Sequence, residues 1–336
     1  MSFSVNVEPS GHQFHVEEGE GILDAALRQG ITLPYGCRNG ACGACLGQLQ
    51  SGEVVYPDGE PRALNADAKS EGKAVFCQAR AASDLVIQVR EPIEEKELQI
   101  KTMPSRIAVM ERLNHDVMLL KLKIPDSERL QFLAGQYIQI LLKDGRVRSF
   151  SLANAPHEDE LLELHIRHIE GGDFTSEVFD KMKVKDILRI EGPHGQFYLR
   201  EDSTKPTIFM AGGTGFAPVR GIIEHALAAG SKRPIHLYWG ARTKQDLYSH
   251  TIAQAYANQH EHIQYTPVLS QPDANDNWTG RTGYVHEAIM QDYADLSGYE
   301  VYAAGPPVMV YAGRDHFPEN NFDLKNYISD AFEYQK

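Results

Sequence analysis

The sequence predicts a multidomain chain made of a small α+β domain, an antiparallel β-barrel and a parallel-sheet α/β domain, in that order. Three observations carry this. A strand–strand–helix pattern leads into a glycine- and cysteine-rich loop within the first 50 residues. From about Lys101, short alternating segments are punctuated by glycine and proline, the pattern of a small closed antiparallel sheet. From about Lys205, short apolar strands alternate with helical stretches, the pattern of βαβ units.

In the first domain, Phe3–Val7 and Gln13–Val16 alternate as two strands around a Ser10-Gly11 turn. Gly21–Gly30 reads as a helix with Ile22, Ala25 and Ala26 on one face and Gly30 as its stop. Leu85–Val89 alternates as a closing strand. Between them lies Gly36-Cys37-Arg38-Asn39-Gly40-Ala41-Cys42-Gly43-Ala44-Cys45-Leu46-Gly47, which holds three of the four cysteines in the spacing C-x4-C-x2-C; the fourth is Cys77. This is the plant-type spacing for a [2Fe–2S] cluster. Four thiolates must converge on two irons, so the loop has to curl with its backbone close to the sulfides, and its glycines permit that. Two disulfides or a structural zinc are the other uses of four cysteines. Disulfides suit small secreted domains, and zinc sites usually bring two close cysteine pairs. The metal-ligand expectation is therefore Cys37, Cys42, Cys45 and Cys77 around a cluster.

The 336 residues suffice for two or three domains, and 42% of them are hydrophobic, an ordinary composition for a globular protein. No apolar run approaches the ~18 residues of a membrane span. The opening Met1-Ser2-Phe3-Ser4-Val5-Asn6-Val7-Glu8 alternates like a strand and lacks a basic and then apolar leader. The expectation is a cytoplasmic protein with no membrane insertion. A net charge of −13 argues against nucleic acid as a partner. Residues 1–100 carry 15 acidic and 8 basic side chains, so this segment is the more acidic per residue. Such a face solubilises, and it can also steer a basic redox partner.

The charged stretch Arg90-Glu91-Pro92-Ile93-Glu94-Glu95-Lys96-Glu97 reads as an exposed linker. The expected divisions are 1–92, a linker at 93–103, then 104–203 and 204–336. Barrel strands are expected at Ile107–Met110, Val117–Ile124, Tyr137–Leu142, Glu160–Ile166 and Ile187–Ile190. Three motifs fall among them: Arg148-Ser149-Phe150-Ser151 after Ala134-Gly135-Gln136-Tyr137, then Gly171-Gly172-Asp173-Phe174-Thr175-Ser176, then Gly192-Pro193-His194-Gly195.

In the last domain, Thr207–Met210 is an apolar strand. Ala211-Gly212-Gly213-Thr214-Gly215-Phe216-Ala217-Pro218 turns from it into a helix that runs to about Ala229. Further strands are expected at Ile235–Trp239, Gln264–Val268, Glu300–Ala303 and Lys325–Ile328. The glycine turn lies at the carboxyl end of the first strand, where open α/β sheets bind nucleotides. Of the fourteen histidines, none shows a metal spacing supported by other ligands.

Taken in order, these motifs resemble the ferredoxin–NADP⁺ reductase superfamily with an N-terminal plant-type ferredoxin domain. The resemblance covers essentially the whole chain. It implies a β-grasp ferredoxin domain, an antiparallel-barrel flavin domain and a nucleotide-binding domain, with a [2Fe–2S] cluster, FAD and NADH as cofactors. It implies that Arg148 pairs with the FAD pyrophosphate, with Ser149 beside it, and that Phe150 takes the place where the family usually stacks a tyrosine on the flavin. It implies that Ser151, the residue assigned to catalysis, hydrogen-bonds the flavin near its reactive edge. Gly171, Gly172 and Thr175 would approach the pyrophosphate, Arg167 would face the flavin phosphates, and Phe332 would pack near the flavin. Gly212, Gly213, Thr214 and Gly215 would hold the nicotinamide. Tyr238-Trp239-Gly240-Ala241-Arg242 and Gly305-Pro306-Pro307 match the other two pyridine-nucleotide segments, with Ala304 where the family often has cysteine.

The family's NADPH users usually present serine–arginine after the third strand. Here Gln271 follows Ser270, which favours NADH, although Arg242 could serve NADPH from another side. The implied activity is NAD(P)H-dependent electron transfer through FAD and the cluster to a partner protein. Stretches such as Arg189-Ile190-Glu191-Gly192-Pro193 and Trp278-Thr279-Gly280 are most similar to the CDP-6-deoxy-3,4-glucoseen reductases of dideoxysugar synthesis, whose partner is a PMP-linked sugar dehydratase. The alternatives are the reductase components of Rieske-type aromatic-ring oxygenases, or a flavin or ferric reductase acting on free small acceptors.

Overall fold

The computed structural model describes residues 2–31, 33–35, 38, 40, 43, 45–89, 98–128 and 130–332. The chain divides into two compact units, Met1–Gln99 and Ile100–Lys336.

The first unit orders its strands around β1 (Ser2–Glu8) and β2 (His12–Glu17), followed by helix α1 (Ile22–Arg28). Strands β3 (Leu46–Ser51) and β4 (Val54–Val55), helix α2 (Ala66–Ser70), and strands β5 (Lys73–Val75), β6 (Arg80–Ala81) and β7 (Leu85–Gln88) complete it. The main sheet runs β2-β1-β7-β3-β5, with β1 and β7 parallel and the other neighbours antiparallel. Period-2 alternation in β1 sends Val5 and Val7 inward, where they meet Ile22, Leu23 and Ala26 of α1. Helix α1 ends as expected before Gly30, whose φ of +75° lets the chain turn back. The short strands β3 and β5, which no expectation covered, frame the cysteine loop.

The second unit opens with a six-stranded antiparallel sheet ordered β11-β10-β13-β8-β9-β12. Its members are β8 (Lys101–Arg112), β9 (Val117–Lys123), β10 (Tyr137–Leu141), β11 (Val147–Ser151), β12 (Leu162–Arg167) and β13 (Ile187–His194), with α3 (Asp173–Asp180) between the last two strands. A bridge between Leu152 and Leu164 joins the two edge strands and closes the barrel. β8 begins at Lys101, inside the span 93–103 expected as linker, because Met103, Ser105 and Ile107 already alternate inward there. Residues 93–97 of that span lie outside the described residues.

The remainder is a parallel sheet, β17-β16-β15-β14-β18-β19. It comprises β14 (Thr207–Gly212), α4 (Phe216–Ala228), β15 (Ile235–Ala241), α5 (His250–Gln259), β16 (Ile263–Leu269), β17 (Arg281–Thr282), α6 (Val285–Asp292), β18 (Glu300–Gly305), α7 (Pro307–His316) and β19 (Tyr327–Ala331). β14 is buried at every position, as a parallel strand covered on both faces must be. The strand expected at Lys325–Ile328 starts instead at Tyr327. The Asp323 carboxylate accepts from the Lys325 N–H at 3.1 Å and holds Leu324–Asn326 in a tight turn. The strand order reverses beside β14, so the crevice at its carboxyl end is the switch point of the sheet.

Candidate functional site

Within the first unit, the antiparallel pairing of β3 with β5 sets Leu46 opposite Val75, and the Phe76 N–H donates to the Cys45 carbonyl at 3.1 Å. Cys45 and Cys77 therefore stand at the ends of two bonded strands; Cys45 is buried and Cys77 half-buried. The loop that leads to them needs special backbone. Gly40 and Gly43 have φ of +79° and +81°, and a Cβ on Gly40 would lie 2.7 Å from Pro61 Cβ and 2.9 Å from Gln78 Cγ. The Gln78 side chain donates to the Arg38 carbonyl at 2.6 Å, and the Ala63 N–H donates to the Gly40 carbonyl at 2.9 Å. These contacts fix the backbone at Arg38 and Gly40, and the thiols of Cys45 and Cys77 are donors that fit a thiolate-held cluster. Cys37 and Cys42 lie outside the described residues.

In the barrel, Arg148 and Phe150 fall on one face of β11 and Ser149 and Ser151 on the other. The Phe150 ring lies 5.6 Å from that of Phe174 in the first turn of α3. Arg146 in the preceding turn donates to Asp173 at 3.0 Å. The structure thus brings the Arg148–Ser151 strand to the Gly171-Gly172 turn. Gly172 caps α3, and a Cβ there would meet the Thr175 hydroxyl at 2.8 Å and the Ile169 carbonyl at 3.0 Å. The Thr175 hydroxyl accepts from the Ile169 N–H at 3.0 Å, so it serves to shape the turn rather than stand free. Arg167, expected among the flavin phosphates, donates to Asp116 at 2.8 Å, and its Nη1 lies 3.4 Å from where a Gly213 Cβ would stand. It belongs to the junction with the glycine turn of the next domain.

That turn is built on backbone-to-backbone contact. A Cβ on Gly215 would stand 2.0 Å from the Ala304 carbonyl oxygen, and one on Gly305 would stand 2.6 Å from the Gly212 oxygen. A Cβ on Gly212 would collide with Pro306 and Met309 at 2.8 and 2.7 Å. Gly212, Gly215, Gly305 and Pro306 therefore converge, and only glycine allows it. The buried Thr214 sits between them, and Gly213 takes a φ of +52°. The Phe332 N–H donates to the Gly305 carbonyl at 2.8 Å, which anchors the chain's last strand to this crevice. Exposed Arg242 lies beside Gln271, whose N–H donates to the Arg242 carbonyl at 2.8 Å.

A buried polar cluster that no motif had marked joins the barrel to the parallel sheet. Glu163 on β12 pairs with Arg220 on α4, with Lys121 at 3.0 Å and with His165 at 3.1 Å. Arg220 also binds Glu224 at 2.8 Å, which accepts from the Tyr256 hydroxyl at 2.6 Å. Burial alone pushes the Glu163 carboxyl up, but His165, Arg220 and Lys121 together outweigh it and hold the group well below the usual carboxylate range. Burial holds His165 low and hence neutral. Its Nε2–H then donates to Glu163, and its Nδ1 accepts from the Tyr248 hydroxyl at 2.9 Å.

Comparison with known proteins decides among the readings of this arrangement. The family model of the 2Fe-2S iron-sulfur cluster binding domain matches residues 5–82. The oxidoreductase FAD-binding domain matches 104–198, and the oxidoreductase NAD-binding domain matches 209–315. The chain is 39% identical over 332 residues, 99% of each chain, to the CDP-6-deoxy-L-threo-D-glycero-4-hexulose-3-dehydrase reductase of Yersinia pestis. The chain belongs to the iron–sulfur flavoprotein reductases. The reductase is also 33% identical to reductase component 1 of terephthalate 1,2-dioxygenase from Comamonas, over 99% of this chain and 98% of that one. Among solved structures, it superposes on the Amycolatopsis reductase GcoB with a TM-score of 0.78 and 31% identity, covering 98% of both chains. It is an NAD(P)H-dependent oxidoreductase with a [2Fe–2S] cluster, FAD and NAD(H) as cofactors. Its relatives are reductases whose names pair them with a dehydrase or an oxygenase. No helix among the described residues is long and apolar enough to cross a membrane.

Proposed function

We propose that the reductase is cytoplasmic and passes electrons from NADH to a dehydrase acting on a CDP-linked 6-deoxyhexulose. The observation that carries this reading is the 39% identity to the Yersinia dehydrase reductase over 99% of both chains. The second reading, an aromatic-ring oxygenase as acceptor, draws on the 33% identity to the terephthalate dioxygenase component.

The bound cofactors would supply the redox chemistry: acceptance of one hydride, hence two electrons, from the reduced nicotinamide and their release one at a time toward the cluster. The residues bind and orient. Cys37, Cys42, Cys45 and Cys77 hold the irons. Arg148 offers a guanidinium fork to the pyrophosphate, and Gly171 and Gly172 offer backbone N–H groups at the start of α3. Phe150 presents its ring to the isoalloxazine, Ser149 lines the same strand, and Ser151 offers its hydroxyl to the flavin's reactive edge. The Gly212–Gly215 turn, with Gly305 and Pro306, seats the nicotinamide, and Phe332 closes the crevice beside Gly305. Gln271 beside Arg242 offers no second guanidinium for a 2′-phosphate, which favours NADH.

The experiment is a reconstituted assay. The reductase with NADH should support turnover of a CDP-6-deoxyhexulose dehydrase and fail to drive an aromatic-ring oxygenase. Turnover with the oxygenase alone would reverse the order of the two readings. Anaerobic titration with NADH and separately with NADPH, followed by visible absorption and low-temperature EPR, tests the nucleotide and the path. NADH should bleach the flavin and give a rhombic cluster signal.

A further inference from the structure

Trp239 is fully buried in β15, and its indole N–H donates to the Gly213 carbonyl at 3.0 Å. Gly213 is the residue of the glycine turn that adopts a left-handed φ. The Trp239 ring is stacked on Phe216, the first residue of α4, with centroids 4.1 Å apart and planes 12° from parallel. Tyr248 meets Trp239 edge-on at 5.2 Å and 84°, and meets His165 edge-on at 5.3 Å and 90°. The Tyr248 hydroxyl is bonded to His165, and His165 to Glu163, both on barrel strand β12. Contacts of defined geometry thus run without a break from the barrel wall to one carbonyl of the turn.

We propose that His165, Tyr248 and Trp239 are positioning residues for hydride transfer, forming a clamp that fixes the Gly212–Gly215 turn in register with the barrel. The inference rests on the assignment of that turn to the nicotinamide. The physical case is one of tolerance. Transfer between two bound rings fails steeply with displacement, and a shift of about 1 Å can cost on the order of a hundredfold in rate. The two rings are carried by different domains, so something must hold one domain's loop to the other's wall. Glycines give the turn its shape but no stiffness. A buried indole donor supplies that stiffness: the Gly213 carbonyl already accepts a backbone N–H within its own short helical turn, and the Trp239 bond is a second one that ties the turn to β15. Trp239 is held in turn by Phe216 and Tyr248, and Tyr248 by the barrel.

The test uses the holoenzyme with Trp239→Phe and Tyr248→Phe. Trp239→Phe keeps an aromatic ring beside Phe216 and removes the donor; Tyr248→Phe removes only the hydroxyl. Hydrogen–deuterium exchange of peptides covering 209–216 should rise in both variants. In stopped flow, the limiting rate of flavin reduction by NADH should fall about tenfold in Trp239→Phe and about threefold in Tyr248→Phe. NAD⁺ affinity should change less than about twofold, since the clamp positions the ring rather than binds it. Unchanged exchange and unchanged limiting rate in a folded variant overturn the clamp; if Trp239→Phe does not fold, Tyr248→Phe decides alone. Gly213→Ala separates the two levels of inference. If it alters neither NAD⁺ affinity nor the limiting rate, the assignment of the turn itself fails. If it alters them while the clamp variants do not, the clamp alone fails.

Discussion

Glu163 of the barrel and Arg220 of α4 form an ion pair buried between two domains, with side-chain exposures of only 5% and 17%. Breaking such a pair on one side leaves a charge without its partner, and the cost is about 3–5 kcal/mol; replacing both by apolar groups is far milder. Glu224 remains beside Arg220, which places Glu163→Gln toward the lower end. Thermal unfolding should show a clear loss for Glu163→Gln and a smaller one for the double replacement Glu163→Leu with Arg220→Met.

Stability should fall on mild acidification. Burial depresses the His236 pKa from 6.5 to about 4, with Tyr293 and Thr266 bonded to its two ring nitrogens at 2.7 and 2.8 Å. His165 is shifted in the same direction by burial. A histidine whose folded pKa is depressed resists a proton that the unfolded chain accepts. Its contribution is therefore intact above the unfolded value and is lost as pH falls toward the folded one. For His236, allowing for its partial exposure, the loss between pH 6.5 and about 4 is of order 2 kcal/mol. Urea midpoints at several pH values should slope downward over this window, and His236→Gln should flatten the slope.

The cluster relay is tested by Cys42→Ser. This variant should lose the cluster's visible and EPR signals and its cytochrome reduction, while ferricyanide reduction, fed from flavin, persists. Equal loss of both activities would count against the relay order.

Gly215→Ala should abolish NADH use, because the new Cβ would stand 2.0 Å from the Ala304 backbone oxygen. The loss in kcat/KM should exceed about a hundredfold. Dithionite should still reduce the cluster, since the first unit forms its own sheet and core.

Gln271→Arg should raise the ratio of NADPH to NADH kcat/KM about tenfold, which corresponds to about 1.4 kcal/mol from one new guanidinium–phosphate contact. Steady-state kinetics with the two nucleotides reads this directly.

The sequence made the glycines and cysteines legible because each is a residue type required locally. A positive φ, a near-zero distance to another backbone or a metal thiolate leaves few substitutes. The Glu163–His165 cluster was not legible for the opposite reason. Leu162-Glu163-Leu164-His165-Ile166-Arg167 alternates perfectly and so reads as a strand with one wet face. Helix α4 covers that face, and the first five of these residues are buried. The pairing of Arg167 with Asp116 was not legible either, because the partner lies 51 residues away in the chain. The indole bond from Trp239 to Gly213 spans 26 residues and two strands, and no local pattern announces it.

Every strand of the first unit finds its partner within residues 2–88, with β1 and β7 closing the sheet. The barrel, by contrast, cannot seat β8 against β13 until His194 has been made. At synthesis rates of about 5–20 residues per second, the interval between these two points lasts some five to twenty seconds. The strands that frame Cys45 and Cys77 are therefore all synthesised before the barrel can close.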